Sequence, residues 1–395
     1  MKDFANLSNT MKDSDQLHSP WPAITDQLTK KYTVIDWFKI CCYDISLHNM
    51  VDFWKQYKDY SFKSNERIVV IDTETQYYPY TSTVGDTLYN LFLTLNYFNI
   101  STDFLIFLSN CPSGTEIKKL AKMFTLPEPT IHYSDYFIGW IQPNLTITQG
   151  SNIDNVNTAF ICLNGMSRAH RVDVLCLLKE HDLFDKGIVT YNFLSGKTLV
   201  DPPDDPNTNI NLGFRTTIPW ARMNEVYTKN KELHHAYSKH ANSILNLTRS
   251  DTRVGEYSVR LINDIRYYNF IQQAAIYFAM ETVMNYPHPF ITEKTWLGII
   301  HRRPFVVAGP AGVLKRLHSM GFKTFNGFWD ESYDDEPDTA TRICQTVDII
   351  KQLCNIPVSQ LRELVKEMDD ILEHNLQVFH NKFSKTDLQT LLNQL

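Results

Sequence analysis

Residues 287–312 read Pro-His-Pro-Phe-Ile-Thr-Glu-Lys-Thr-Trp-Leu-Gly-Ile-Ile-His-Arg-Arg-Pro-Phe-Val-Val-Ala-Gly-Pro-Ala-Gly. This stretch predicts a short helix followed by a buried parallel strand. Thr292 is a preferred N-cap residue, and large side chains then recur at helical spacing, at Thr295, Trp296, Ile299 and Ile300. Pro304 ends this helix, because proline disfavours helical backbone in the residue before it. Phe305–Ala308 is short, apolar and rich in β-branched residues, which is typical of a strand covered on both faces.

The predicted helix places a charged pair, Glu293 and Lys294, in its first turn. The N-terminal end of a helix carries a positive partial charge that favours a phosphate, and Lys294 adds a full positive charge there. Glu293 can accept hydrogen bonds from a ribose diol. The alternative, which the pattern alone leaves open, is an ordinary surface Glu-Lys pair at the start of a helix.

Two segments resemble the fucosyltransferase-like glycosyltransferases, including the members that phages and bacteria encode. The segments Phe290–Trp296 and Arg303–Pro310 are similar to the donor-binding strip of that family, and Glu281 matches its upstream acidic position. The upstream segment Leu163–Arg171 contains Asn-Gly-Met-Ser-Arg-Ala-His-Arg, which resembles the Asn-Gly-x-x-Arg-x-His-Arg segment of the phage and bacterial relatives.

The resemblance implies an α/β protein of GT-B-like architecture, with two Rossmann-like domains facing a cleft and with C-terminal helices. It also implies an inverting hexosyl- or pentosyltransferase that uses a nucleotide-sugar, a UDP-sugar or a GDP-sugar, as co-substrate and needs no other cofactor. The donor-binding residues expected from the resemblance and from the helix-end argument are Arg168, Arg171, Glu281, Thr292, Glu293 and Lys294.

Length and composition are those of a globular protein of about two domains. The chain has 395 residues, a hydrophobic content of 43% and a net charge of −6, so it lacks the overall basic charge typical of nucleic-acid-binding proteins. No apolar run reaches membrane-spanning length, and the polar N-terminus lacks a signal-peptide core. Its seven cysteines show no metal-ligand spacing. These features predict a cytoplasmic protein, in the host cytoplasm if a phage encodes it, without a membrane partner.

Strand and helix patterns alternate along the chain, which is typical of parallel sheets. We predict a polar arm at residues 1–30, an acceptor domain at 31–150 and a nucleotide-sugar domain at 156–355, with an insertion near 197–220 and C-terminal helices at 356–395. Residues 143–157 are the predicted linker. The predicted strands are Tyr32–Ile40, Ile68–Ile71, Phe104–Leu108, Thr130–Tyr133, Thr158–Leu163, Ile188–Tyr191, Ile276–Met280 and Phe305–Ala308. The main predicted helices are Asp86–Ile100, Ser113–Phe124, Ser167–Glu180, Tyr227–Leu247 and Gly312–Met320.

Arg168 and Arg171 lie three residues apart at the start of a predicted helix, just after a predicted strand. This spacing places both guanidinium groups on one helix face, near the sheet edge where α/β proteins bind ligands. Arginine binds diphosphate oxygens bidentately, which suits a nucleotide leaving group. A solvated basic helix face is the alternative. His170 can serve as a donor to the leaving group or as a packing residue, and we favour packing.

Asp72 and Glu74 flank Thr73 at the end of the predicted strand Ile68–Ile71. In a glycosyltransferase one of these carboxylates would be the general base that deprotonates the acceptor hydroxyl, and Glu74 has the longer reach. The same Asp-Thr-Glu resembles the first metal-binding motif of two-metal 3′-5′ exonucleases. That family also needs an Asn-x-x-Phe-Asp motif, and the nearest candidate, Asp182–Asp185, lacks the asparagine. A strand-end aspartate that caps a turn is the third possibility.

Tyr77 and Tyr78 follow these carboxylates and are candidate acceptor-binding residues, since aromatic rings stack on sugars or on a base drawn out of DNA. Rim packing is the alternative for both. No metal site is expected, because the acidic clusters at 204–205 and 334–336 do not follow an apolar strand. Arginine, lysine and the positive end of the helix would neutralise the charge of the diphosphate instead.

The phage-like combination of segments suggests an acceptor in DNA, and the best candidate is 5-hydroxymethylcytosine in double-stranded phage DNA. Basic clusters that could follow a phosphate backbone occur at Lys118–Lys122, Lys229–Lys231, Arg302–Arg303 and Lys315–Arg316. The acidic net charge favours the alternative acceptor, a saccharide or other glycan.

Overall fold

The computed structural model describes part of the chain, in two compact units. The described residues are 33–36, 51–52, 54–55, 57–60, 68–72, 87–109, 115–133, 153–164, 169–190, 230–245, 265–281, 284, 289 and 291–382. Unit 1 comprises residues 1–143 and 385–395, and unit 2 comprises residues 144–384. The division lies at the start of the predicted linker.

Unit 1 contains a four-stranded parallel sheet whose strands lie in chain order. Its elements are β1 (Thr33–Asp36), β2 (Ile68–Asp72), α1 (Thr87–Tyr97), β3 (Leu105–Ser109), α2 (Thr115–Met123) and β4 (Thr130–Tyr133). The described core of this unit centres on Trp54, the apolar face of α1 and the start of β3, where Phe92 stacks on Phe107. Asp72 ends β2 in register with Ser109 of β3, so this carboxylate residue lies at the C-terminal edge of the sheet.

Unit 2 contains a second four-stranded parallel sheet, covered by helices. Its strands are β5 (Thr158–Cys162), β6 (Gly187–Val189), β7 (Ala274–Met280) and β8 (Phe305–Ala308). Its helices are α3 (Ala169–Glu180), α4 (Lys231–Leu245), α5 (Ile265–Gln272), α6 (Glu293–Ile300), α7 (Val313–Ser319), α8 (Thr339–Cys354), α9 (Val358–Glu367) and α10 (Asp369–Lys382).

The strand order in unit 2 is β6-β5-β7-β8, which is not the order along the chain. After β5 the chain adds β6 on one side, and it later adds β7 on the other side of β5. The connections therefore reverse direction between β5 and β7. In open α/β sheets ligands bind at such a reversal, outside the C-terminal ends of the two strands.

The core of unit 2 is built around β7, whose residues are all buried. Helix α6 contributes Trp296, which is fully buried against Phe322 and against Phe379 of α10. Gly298 allows this helix to approach the sheet, because a Cβ atom at that position would lie 3.3 Å from both Tyr277 and Phe305. Helix α6 therefore packs closely against β7 and β8.

The α/β class with parallel sheets is confirmed, and the differences from the predicted elements are local. Helix α5 was not predicted. The region 356–395, predicted to hold the C-terminal helices, contains two described helices, α9 and α10, which are separated at Met368. No helix within the described ranges is both long and apolar enough to cross a membrane.

A charged cluster joins α3 to α4 and leads to the first prediction. Glu180 of α3 accepts hydrogen bonds from Lys239 Nζ at 2.8 Å and from His240 Nε2 at 2.6 Å, both on α4. These hydrogen bonds lower the pKa of Glu180 from its ordinary value of 4.5 to about 2. A carboxylate whose pKa is lowered by folding stabilises the protein above its ordinary pKa, and this stabilisation is lost as the pH falls through the folded value.

We therefore predict that Glu180→Gln lowers the free energy of unfolding at about pH 7, and that the difference from the wild type shrinks between about pH 4.5 and pH 2. Urea denaturation across this range measures the difference. Glu363→Gln, which removes a surface pair within α9, is the matched control and should have little effect. A Glu180→Gln difference that did not change with pH would contradict the assignment.

Candidate functional site

The candidate site lies at the reversal between β5 and β7, where the first turns of α3 and α6 come together. Helix α3 follows β5, and Glu281 follows β7 directly. His170 and Arg171, from the first turn of α3, both contact the backbone at the end of β7. The tertiary structure thus joins the two segments that carry the family resemblance, although over a hundred residues separate them in the chain.

The side chain of Glu281 fixes the start of α6. This carboxylate is fully buried. It accepts hydrogen bonds from the backbone N–H of Thr292 at 3.0 Å, from Thr292 Oγ1 at 2.6 Å and from Thr295 Oγ1 at 2.6 Å. Thr292 Oγ1 in turn accepts from the backbone N–H of Lys294 at 3.4 Å, so Thr292 is the N-cap that the sequence predicts.

The backbone of Glu281 connects α3 to β8. Its N–H donates to Ala308 O at 2.9 Å, and its carbonyl lies 2.9 Å from His170 Nε2. The guanidinium of Arg171 donates to the same carbonyl at 3.3 Å and to Met280 O at 3.4 Å. His170 is buried and bonded to the backbone, which agrees with the packing role that we favoured.

Among the predicted donor-binding residues that the structure describes, Glu293 and Lys294 are the ones that solvent can reach. Their side chains are 20% and 16% exposed, whereas Arg171 and Thr292 are buried. The two side chains form an ion pair with each other, and Lys294 Nζ also lies 3.4 Å from Thr292 Oγ1. The partly exposed side of the site therefore consists of one carboxylate and one ammonium group at a helix N-terminus.

The charges at the site influence each other. Burial alone would raise the pKa of Glu293, but the charge and hydrogen bond of Lys294, the backbone N–H of Glu293 and the charge of Arg171 outweigh burial and lower it. Burial lowers the pKa of Lys294, and Arg171 adds to this effect while Glu293 opposes it. A second anion near Lys294 and Arg171 would raise the pKa of Lys294.

Three further buried residues near the site, which were not among the predicted site residues, are Asn164, Cys162 and Tyr277. Asn164, just after β5, is fully buried, and its Nδ2 donates to Cys162 Sγ at 3.4 Å. Its Oδ1 has no hydrogen-bond partner among the described residues. Burial raises the pKa of Cys162 to about 12, so this thiol stays protonated at neutral pH. Burial likewise raises the pKa of Tyr277 well above its ordinary value, so its hydroxyl also stays protonated.

Several predicted residues lie elsewhere or outside the described residues. Arg168, Glu74, Tyr77 and Tyr78 lie outside the described residues. Asp72 ends β2 of unit 1, where its backbone but not its side chain is described. The site as described therefore consists of Arg171, Glu281, Thr292, Glu293 and Lys294, together with Thr295 and Asn164.

The structure changes the interpretation of two charged clusters. Arg303 is fully buried and donates to the backbone carbonyls of Ile271 and Gln272. The prediction that it belongs to a DNA-binding face is therefore wrong. Its neighbour Arg302 pairs with Asp369 at 2.6 Å. In the acidic cluster at 334–336, the Asp334 carboxylate accepts from the backbone N–H groups of Leu314 and Lys315.

Comparisons of the chain with models of protein families, with curated proteins and with solved structures found no match. The geometry of the site and the resemblance of its two segments are therefore the basis for the functional assignment.

The position of Glu281 leads to the second prediction. In Glu281→Gln the side chain loses its charge, and one of its two accepting oxygens becomes an NH₂ group. We expect the free energy of unfolding to fall by about 1.5–3 kcal/mol, the range for a hydrogen bond to a charged group. Urea denaturation measures the change, with Glu363→Gln as the exposed control. An unchanged midpoint would show that Glu281 does not hold α6.

Proposed function

We propose that this protein is a nucleotide-sugar-dependent glycosyltransferase whose donor binds at the reversal between β5 and β7. One observation carries the proposal. The buried carboxylate of Glu281 holds the N-terminal turn of α6, with Glu293 and Lys294 partly exposed, beside the guanidinium of Arg171. A helix N-terminus and two cations at the C-terminal edge of a parallel sheet form a suitable environment for a diphosphate.

Each residue of the site has a distinct role in this proposal. Lys294 binds an oxygen of the diphosphate, and Glu293 accepts from the ribose hydroxyls. Arg171 is held by two backbone carbonyls, so it supplies a fixed positive charge close to the leaving group. Glu281 and Thr292 are positioning residues, because both are fully buried and their hydrogen bonds set the place of the first turn. Arg168 is assigned to the diphosphate from the resemblance alone.

The proposal includes a GT-B architecture in which unit 2 binds the donor and unit 1 supplies the acceptor site and the general base. In an inverting reaction the base removes the proton of the acceptor hydroxyl, and that oxygen displaces the nucleoside diphosphate from C1 of the sugar. Asp72 ends β2 at the C-terminal edge of its sheet, where a catalytic carboxylate is expected in such a fold. Glu74, two residues later, is the preferred base for its longer side chain. The leaving diphosphate is stabilised by Arg171, Lys294 and the helix end in a reaction that needs no metal.

The acceptor that we propose is the hydroxymethyl group of 5-hydroxymethylcytosine in double-stranded phage DNA, with Tyr77 and Tyr78 as stacking residues for the extruded base. The support is the resemblance to phage-encoded members and the lysines of α2. Lys118, Lys119 and Lys122 lie on that helix, although Lys118 pairs with Glu128. A saccharide acceptor is the second candidate, favoured by the net charge of −6 and by the burial of Arg303.

A transfer assay tests this function. The protein is incubated with UDP-glucose, UDP-xylose, GDP-mannose or GDP-fucose and with duplexes that contain cytosine or 5-hydroxymethylcytosine. The DNA is then digested, and the masses of the nucleosides are measured by mass spectrometry. We expect a pentose or hexose increment on the modified base only. Transfer to a saccharide instead would exclude the DNA acceptor, and failure to bind or use any nucleotide-sugar would exclude the glycosyltransferase.

The same assay locates the base. Glu74→Gln or Asp72→Asn should reduce turnover by about 10²–10⁴-fold, the usual contribution of a general base, while donor affinity stays unchanged. Normal turnover in both variants would place the base elsewhere.

The role of Lys294 leads to a prediction about the binding of the donor. We expect Lys294→Ala to weaken the binding of the nucleoside diphosphate by about 1.5–3 kcal/mol, because a charged hydrogen bond is lost. Isothermal titration calorimetry with UDP and GDP measures the affinity, and circular dichroism verifies the fold of the variant. Lys366→Ala, on the exposed face of α9, is the matched control. Equal affinities of wild type and Lys294→Ala would contradict the donor site.

A further inference from the structure

A second polar cluster lies at the other end of α3, where three elements each contribute one potential metal ligand. His181 follows the last residue of α3, Glu232 is in the first turn of α4, and Asp348 is in α8. One ligand atom from each side chain lies within 4.8 Å of the other two. The distance from His181 Nε2 to Glu232 Oε1 is 3.2 Å.

The turn that ends α3 holds His181 in place. Asp182 has the left-handed backbone conformation, with φ of 55°, that commonly ends a helix. The N–H of His181 donates to Leu177 O at 3.0 Å, and the N–H of Leu183 donates to Leu178 O at 2.8 Å. The backbone of His181 is therefore fixed by helical hydrogen bonds on both sides.

The two carboxylates are also placed by the packing of their helices. Asn230 caps α4, because its Oδ1 accepts from the N–H of Leu233 at 3.0 Å. The Asn230 side chain also lies close to the buried thiol of Cys344, which is one turn before Asp348 on α8. The helix of Glu232 therefore packs close to the part of α8 that carries Asp348.

The charge of the cluster favours a cation. Among the described residues, neither Glu232 nor Asp348 forms an ion pair with a lysine or an arginine. By contrast, the neighbouring Glu180 has Lys239 as a partner at 2.8 Å. Two carboxylates close to each other repel, and the C-terminal end of α3 adds negative partial charge at the same place.

We propose that His181, Glu232 and Asp348 bind a Zn²⁺ ion that connects α3, α4 and α8. Zinc accepts imidazole nitrogen and carboxylate oxygen at about 2.0–2.2 Å, which places two ligands of a tetrahedral ion about 3.3–3.5 Å apart. The 3.2 Å between His181 Nε2 and Glu232 Oε1 is close to that spacing. Water completes the coordination.

This ion has a structural role that is separate from the donor site. His181 lies ten residues after Arg171, which corresponds to about 15 Å along a helix. The zinc site therefore does not depend on the proposed glycosyltransferase activity. It also does not alter the proposed donor reaction, in which charges of the protein stabilise the diphosphate.

Titration of the full-length protein with ZnCl₂ tests the proposal. Protein stripped with a chelator is titrated in a calorimeter, and its melting temperature is recorded with and without Zn²⁺. We expect one high-affinity equivalent and a higher melting temperature with zinc. His181→Gln, Glu232→Gln and Asp348→Asn should each weaken this equivalent at least ~10-fold. His374→Gln, which changes an exposed histidine on α10, should bind like the wild type.

Two measurements separate this site from binding by the cysteines of the chain and from loss of the fold. With Co²⁺ in place of Zn²⁺, a nitrogen and oxygen site gives ligand-field absorption without a thiolate charge-transfer band. Glu232→Gln is nearly isosteric at a side chain that is 47% exposed, and its metal-free circular dichroism spectrum should match the wild type. Wild-type zinc affinity in the three variants, no binding at all, or a thiolate band for the bound equivalent would each overturn the proposal.

Discussion

The buried carboxylate of Glu281 is the constraint on which the rest of unit 2 depends. An unpaired charge in a protein interior is very costly, and three donors from Thr292 and Thr295 offset that cost for this side chain. Those hydrogen bonds determine where α6 begins. Because the backbone of the same residue joins β8 and α3, one position connects every element of the candidate site. Gly309 leaves room for this arrangement, since a Cβ atom there would lie 3.2 Å from Glu281 Cγ.

The strand order turns this local arrangement into a binding site. With β5 and β7 adjacent and their connections leaving in opposite directions, the helices that follow these strands begin on either side of the reversal. The positive ends of α3 and α6 then point to the same region, and the cations Arg171 and Lys294 add to it. A sheet with strands in chain order, as in unit 1, does not bring two helix ends together in this way.

Helix α3 carries different chemistry at its two ends, in agreement with its dipole. Its N-terminal turn contributes Arg171 to a site suited to an anion, and the turn that ends it presents His181 beside two carboxylates. The packing of α3 against α4 and α8 supports both ends. The hydrogen bonds from Lys239 and His240 of α4 to Glu180 tie α3 to α4. A single buried helix thus supports a proposed donor site and a proposed structural metal site.

The sequence by itself determined the α/β class, most of the element boundaries in the described ranges and the first turn of α6. These follow from local causes, namely runs of β-branched residues, the N-cap Thr292 and the stop at Pro304. Only the tertiary structure decided that Glu281 and Thr292 are buried supports, that Arg303 faces backbone carbonyls and that His181, Glu232 and Asp348 meet. The physical reason is that burial and long-range contacts depend on strand order and helix packing. A pattern of neighbouring residues determines which face of an element is apolar, but not which other element covers it.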